Sequence, residues 1–314
     1  MIAFSQWQLI AGLNPMHTAG LLTLRTKFHA GRWGVIAVSL RRPAVAPVFL
    51  GKTPAAVVQT VPLLYSVCAQ AQQRAAQAAL DGAVGLAPTV APATELWMEM
   101  LHEILWRVML DWPPAVGLPA EKAAFVAWRS ARSGQDAFAV TEKLCRGLVT
   151  DLSAKCQERL PASPMAVVQD ASLPDPVAWL DFCVGKTHQM PALQAPVSIR
   201  AAYQGRIAQL QVALHALGSQ APYPVASAAA SGWGVAQVAT ARGMLTHAAQ
   251  VKDGRVCAYR VWAPTDAFFS DGRAVSSLLE GETYATELQA RAALELAVLA
   301  LDPCVPFEVE SDDA

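Results

Sequence analysis

The sequence predicts a mixed α/β (α+β) protein dominated by helices. Three observations lead there. Residues alternate apolar and polar near the N-terminus and again over Val251 to Trp262, long stretches between carry helical periodicity, and proline-rich segments punctuate them. At 314 residues, with 54% hydrophobic and 16% charged residues, the chain has enough apolar surface for an ample core. We expect a single domain over residues 1–314.

From Leu21 to Leu50 the alternation, as in Leu22-Thr23-Leu24-Arg25-Thr26 and Val35-Ile36-Ala37-Val38, is interrupted by Gly31 and Gly34. That pattern reads as an N-terminal β-hairpin. Pro62 then precedes a Gln- and Ala-rich run free of Gly and Pro, which predicts a helix beginning near Ser66 with Cys68 in its first turn. Leu96, Met100, Leu101, Ile104, Leu105, Val108 and Met109 mark one helical face at 3, 4 spacing. A further helix is expected from about Asp136 to Leu160, with Leu144, Leu148 and Leu152 on one stripe. Trp112-Pro113-Pro114, Pro161 to Pro176 and Pro191 to Pro196 are read as separators.

Beyond a helix near Gln204 to Leu217, Lys252-Asp253-Gly254 forms the turn of a C-terminal hairpin over Val251 to Trp262. The last helix, about Thr283 to Leu301, stops at Pro303 because the residue before a proline is biased away from helix. No internal repeat is present.

Lys plus Arg number 24 against 25 Asp plus Glu, for a net charge of −1. Long-range attraction to nucleic acid or an anionic membrane is therefore not expected, and partners are recognised locally. Met1 to Gln6 lack the features of a secretory signal, and Leu294 to Leu301 is far shorter than a transmembrane helix needs. Six cysteines without close pairing suit a reducing compartment, so the cytoplasm is the expected location.

A thiol in the first turn of a helix sits near unpaired N–H groups and the positive end of the dipole, which favours thiolate. Cys68 is on that ground a candidate ligand, against the ordinary reading of a small buried hydrophobe. Cys145 and Cys156, eleven residues apart, would share a helix face about 16 Å apart, too far for a disulfide or a common metal. Cys183 and Cys257 read as core or half-buried. His17, His29, His102, His188 and His215 show no ligand spacing, and His247 reads as structural.

Motifs at the two ends of the chain carry a more specific signal. Leu63-Leu64-Tyr65-Ser66-Val67-Cys68 resembles the R-x-C-G-x-C of the [NiFe]-hydrogenase large subunit, with Tyr65 at the first thiol position. Asp302-Pro303-Cys304-Val305-Pro306-Phe307 resembles its D-P-C-x-x-C, with Phe307 at the last. Gly232-Trp233-Gly234 and Arg242-Gly243-Met244-Leu245-Thr246-His247 are similar to its G-x-G and E-A-P-R-G-x-L-x-H, Lys252 to Tyr259 to its K-D-G-K-I-x-x-Y, and Ala263-Pro264-Thr265 to its V-P-T/S. The resemblance covers residues 1–85 and 220–307, leaving a central helical region over 90–220, and implies a truncated large-subunit-like fold.

In that family four thiolates hold nickel and iron, and the iron carries two cyanides and one carbon monoxide. The resemblance implies Cys68 and Cys304 as metal ligands, Arg242 and Thr265 as donors to cyanide nitrogens, and Leu245, Ala263 and Pro264 as the apolar wall for the carbonyl. The departures are as informative. Gln72 stands at a His position and Ala239 at a Glu position, Ala19-Gly20-Leu21-Leu22 lacks the proton-relay carboxylate of E-G-H-L, and the tail has no C-x-x-H.

A surviving iron-ligand pocket without nickel ligands, proton relay or maturation signal resembles the HupK/HoxV-type hydrogenase expression and formation proteins. That implies a non-catalytic scaffold or chaperone that transiently holds iron as Fe(CN)2CO, without nickel. The implied partners are the hydrogenase large-subunit precursor and the Hyp maturation machinery, of the HypC/HypD-type chaperone complex. Two other readings stand beside it, a divergent redox enzyme with a mononuclear thiolate-iron site and a metal-free interaction protein of the same machinery.

Overall fold

Both ends of the described chain meet in one sheet. The computed structural model describes residues 20–65, 67–88, 93–161 and 175–311. Met1 to Gln6, His17, Ala19, Ser66 and most of the stretch Pro161 to Pro176 lie outside the described residues. Leu21–Thr26 (β1) buries Leu22 and Leu24 completely and pairs antiparallel with Ala37–Arg41 (β4), as the alternation predicts. A two-residue-per-strand hairpin, Phe28–His29 (β2) with Arg32–Trp33 (β3), sits in the loop between them. It turns at Ala30-Gly31, both at positive φ, the turn that matches strand twist. On its other side β1 takes a parallel partner that the sequence did not announce, Phe307–Ser311 (β9), with Leu24 opposite Val309.

The helix expected from near Ser66 forms over Ala69–Ala83, and a second helix that the sequence reading did not include precedes it. Pro54–Leu64 (α1) is capped by Thr53, whose hydroxyl accepts from Ala56 N at 3.3 Å, and it contains Pro62. Proline has no N–H for the carbonyl of Val58, and Gln73 Nε2 donates to that oxygen instead, at 3.3 Å. The chain breaks at Tyr65, and Ala69–Ala83 (α2) follows with Cys68 as its N-cap rather than in its first turn.

The buried face of α2 is mostly alanine, and it lies against a four-stranded antiparallel sheet. That sheet is Val225–Ala230 (β5), Trp233–Thr240 (β6), Gly243–Lys252 (β7) and Arg255–Trp262 (β8), in sequence order. The expected C-terminal hairpin is its second half, turning at Asp253-Gly254 with both residues at positive φ. Gly234 explains part of the G-x-G resemblance in packing terms. A Cβ there would lie 2.0 Å from Ala79 O and 2.5 Å from Ala83 N, so only glycine lets the helix backbone rest on β6.

The apolar stripe from Leu96 to Met109 is buried throughout. It runs along Thr94–Trp106 (α3) and through a wide turn, Arg107–Asp111, into Trp112–Ala115 (α4). Pro113 and Pro114 thus start a helical turn instead of separating helices, since the first turn needs no N–H from them. After Lys122–Ala131 (α5), the helix expected from Asp136 is split by a second wide turn, Cys145–Val149, between Ala137–Leu144 (α6) and Thr150–Arg159 (α7). The extra residue in that turn shifts the helical phase. Cys145 consequently packs in one core cluster and Cys156 in another, not on a shared face.

Pro176–Cys183 (α8) buries Cys183, whereas Cys257 on β8 is exposed, contrary to the half-buried expectation. It points outward from the edge strand, just past a register shift at Gln250/Val251. The remaining helices are Ile199–Gly218 (α9), Pro264–Phe268 (α10), Arg273–Leu278 (α11) and Glu287–Leu301 (α12). All six cysteines are free thiols. No helix among the described residues is long and apolar enough to cross a membrane.

Two large apolar clusters organise these elements. One joins α3, α9 and the β6–β7 pair through Leu101, Ile104, Leu210, Val238 and Leu245, and Cys68 packs against it. The other joins β1, α4, α9 and α12 through Leu22, Trp112, Tyr203, Leu294 and Val298, and Cys304 packs against that one.

Candidate metal-binding site

Cys68 and Cys304, both half-buried, come from opposite ends of the sequence to one charged seam. Each thiol raises the other residues' proton affinity there: Cys304 acts on Cys68, and both act on Tyr65 and on Arg242. Cys304 follows α12 and is positioned by Asp302, which ends that helix in the left-handed conformation, φ 49°. Such a backbone is uncommon for a residue with a side chain and persists where the surroundings enforce it. Asp302 is 1% exposed, and Arg107 Nε, Arg206 Nη2 and Arg242 Nε stand at 2.6, 2.8 and 3.5 Å from its carboxylate. Burial alone would raise its pKa, but the three guanidiniums outweigh burial and hold it at about 2.

Arg242 lies in the tight β6–β7 turn. The Thr240 hydroxyl closes that turn, donating to Gly243 O at 2.8 Å and accepting from Arg242 N at 3.2 Å. The guanidinium is buried, donates through Nη2 to Glu103 Oε2 at 2.8 Å, and leaves Nη1 without a hydrogen-bond partner. An unused donor on a buried, permanently charged group is costly, and it is the feature an acceptor-bearing ligand would satisfy. Glu103, buried but pulled down by Arg242, remains a carboxylate.

Leu245, Ala263 and Pro264 are all buried. Leu245, 1% exposed, faces the first cluster from β7 opposite Val238, with Ala263 packed in the same cluster. Pro264 is buried as the first residue of α10 and lies where a Cβ on Gly243 would touch its ring.

Thr265 faces Cys304. Its hydroxyl accepts from Cys304 N at 3.1 Å and donates to Cys304 Sγ at 3.3 Å, so its one proton is directed at sulfur. Arg42, just past β4, reaches Cys304 Sγ at 3.7 Å through Nη1 while pairing with Asp266 through Nη2.

Cys68 also differs from the first-turn expectation. The free N–H groups of Gln70 and Ala71 are taken by Glu99 of α3, at 2.8 and 3.0 Å, so the positive end of α2 faces a carboxyl group instead of the sulfur. Burial then dominates and pushes the Cys68 thiol up to about 12, the reverse of the thiolate expected from the dipole. The same burial raises Glu99 to about 7. His247, read from sequence as structural, accompanies Gln72 beside Cys68: Gln72 Nε2 is 3.6 Å from Cys68 Sγ, and Gln72 Oε1 is 2.7 Å from His247 Nε2.

Tyr65 is largely buried, and burial raises its phenol well above the usual range. Phe307 opens β9 opposite Leu22 and packs in the second cluster. Among the described residues no three His, Cys, Asp or Glu side chains converge as a metal site. What the seam offers is two thiols, an unpartnered guanidinium donor and an apolar wall. Arg42, Glu99, Glu103 and Asp302 were not singled out in sequence. Asp302 and the α3 carboxylates at one-turn spacing were the available signals.

No family model matches the chain. It is 30% identical over 294 residues to hydrogenase expression/formation protein HupK of Rhodobacter capsulatus, covering 88% of this chain and 93% of that one. Hydrogenase expression/formation protein HupV of Azotobacter chroococcum mcd 1 is 29% identical over 345 residues, covering 93% and 98%. Among solved structures, the Ni-Fe-Se hydrogenase of D. vulgaris Hildenborough in the reduced state superposes with a TM-score of 0.60 at 15% identity, covering 88% of this chain and 94% of that one. The architecture is thus the hydrogenase large-subunit fold, mixed α/β with helices predominating. The chain belongs to the HupK family of hydrogenase expression/formation proteins.

Proposed function

We propose that this chain is a non-catalytic scaffold in [NiFe]-hydrogenase maturation, one that holds an Fe(CN)2CO unit as cargo and passes it to the large-subunit precursor. The observation that carries this reading is the unpartnered Arg242 Nη1, buried in the same seam as two free thiols. Cyanide nitrogen is a hydrogen-bond acceptor that such a donor suits, and low-spin iron is soft enough for thiolate.

Cys68 would serve as the principal ligand and Cys304 as the second, with Leu245, Ala263 and Pro264 as the apolar wall. Thr265 would hold Cys304 from both its N–H and its sulfur. Each thiol must lose its proton on binding, so uptake of the cargo should release protons and weaken as pH falls.

Several features support a carrier over an enzyme. Tyr65 and Phe307 occupy the places of two further thiols, and a phenol kept protonated by burial is a poor ligand for nickel. Gly20-Leu21-Leu22 carries no acid to relay protons. Few ligands also favour release. The precursor and a HypC/HypD-type chaperone complex are the proposed partners, by kinship with the relatives named above.

Complementation in a host lacking the native gene tests this. Cys68→Ala should abolish iron retention and hydrogenase maturation while leaving the fold intact, and Cys304→Ala should weaken retention less. Unimpaired maturation by the Cys68 variant would instead favour a metal-free interaction protein.

A further inference from the structure

Cys68 lies at one end of a hydrogen-bonded chain that continues through Gln72 of α2 to His247 and Tyr259 of the four-stranded sheet. Tyr259 Oη is 2.7 Å from His247 Nδ1, His247 Nε2 is 2.7 Å from Gln72 Oε1, and Gln72 Nε2 is 3.6 Å from Cys68 Sγ. His247 is fully buried, with Gln72 and Tyr259 at 3% and 5% exposure.

The order of protons along this chain follows from the atoms. A Gln carbonyl oxygen can only accept, so His247 Nε2 must carry its hydrogen. Burial keeps the imidazole neutral, pushing its pKa down to about 3, and a neutral ring has one N–H. His247 Nδ1 is therefore an acceptor, and the Tyr259 hydroxyl, held as a phenol by burial, is its donor. With Oε1 turned to His247, the Gln72 amide group faces Cys68. Every donor points towards sulfur.

The opposite order is chemically possible for the same four groups. Cys68 S–H would donate to Gln72 Oε1, Gln72 to His247 Nε2, and His247 Nδ1–H to Tyr259. That arrangement needs a protonated thiol as its source and has no use for a thiolate. The observed one ends in a donor aimed at an electron-rich sulfur.

We propose that Gln72, His247 and Tyr259 form a one-way donor chain that fixes the Cys68 sulfur and draws electron density from its bond to the iron cargo. They are positioning residues, and their role rests on the reading of Cys68 as an iron ligand. Hydrogen bonds to a ligating sulfur tune the metal it holds.

Two measurements test this. In the metal-free full chain, nitrogen NMR of labelled histidine should find His247 as the Nε2–H tautomer in wild type. An Nδ1–H tautomer would overturn the proposal whether or not the chain carries iron. In the iron-loaded chain, Gln72→Met should move the carbonyl stretch to lower wavenumber, since the relieved sulfur donates more charge to iron and iron more to CO. Tyr259→Phe, a milder change that keeps the ring, should give a smaller shift of the same sign. Unmoved bands in both variants would also overturn it. Absence of such bands in wild type is the separate failure of the iron reading, and the tautomer then decides.

Discussion

Thr265 grips Cys304 at two points, accepting from its backbone N–H at 3.1 Å and donating to its sulfur at 3.3 Å. The hydroxyl links the start of α10 to the chain just past α12, 39 residues away. Thr265→Val keeps the shape and removes both bonds, leaving a buried N–H unpaired. It should cost about 1–3 kcal/mol in chemical denaturation and lower iron retention. Thr265→Ser should restore most of both.

Asp302 answers three arginines at once, so its removal should be more damaging than loss of a surface pair. Asp302→Asn leaves Arg107, Arg206 and Arg242 buried without their shared counter-charge, and about 3–5 kcal/mol of stability should be lost. In the wild type the carboxyl is held at about 2, below its ordinary 3.8. Its contribution is therefore complete above pH 3.8 and disappears as pH falls through 2, a dependence Asp302→Asn should lack.

Glu99 should show the opposite sign. Burial raises it from 4.5 to about 7, so the unfolded chain ionises first and stability contributed by the protonated form is lost as pH rises between those values. The loss should be about 3 kcal/mol at most. Glu99→Gln, which can still accept from Gln70 N and Ala71 N through its one carbonyl oxygen, should flatten this window in denaturation curves taken at pH 5 and pH 8.

Gly234→Ala should be among the most disruptive single-methyl additions in the chain. The new Cβ would meet backbone atoms of α2 at 2.0 and 2.5 Å, and neither partner is a side chain that can swing aside. We expect at least about 3 kcal/mol of destabilisation by thermal unfolding, at the upper end of overpacking costs.

How far the sequence spoke depended on whether a feature was local. The stripe from Leu96 to Met109 and the Asp253-Gly254 turn are written in neighbouring residues, and both form as read. The helix α1 was not read because it contains Pro62, whose missing donor to Val58 O is replaced by Gln73, eleven positions on. β9 was missed because Phe307 to Ser311 is a strand by virtue of β1, nearly the whole chain away. At the site, the motif residues Cys68, Arg242, Thr265 and Cys304 do converge. Arg42 left no signal and Glu99 and Glu103 left only their one-turn spacing, since what all three do is set by partners that only the fold brings near.

Infrared spectroscopy with metal analysis on the isolated chain tests the scaffold reading most directly. Bound cyanide and carbon monoxide absorb where protein does not, and two thiols without further soft ligands should retain iron and exclude nickel. Cyanide and carbonyl bands, iron, essentially no nickel and no hydrogen turnover are the expected result. Stoichiometric nickel together with hydrogen oxidation or evolution would contradict it.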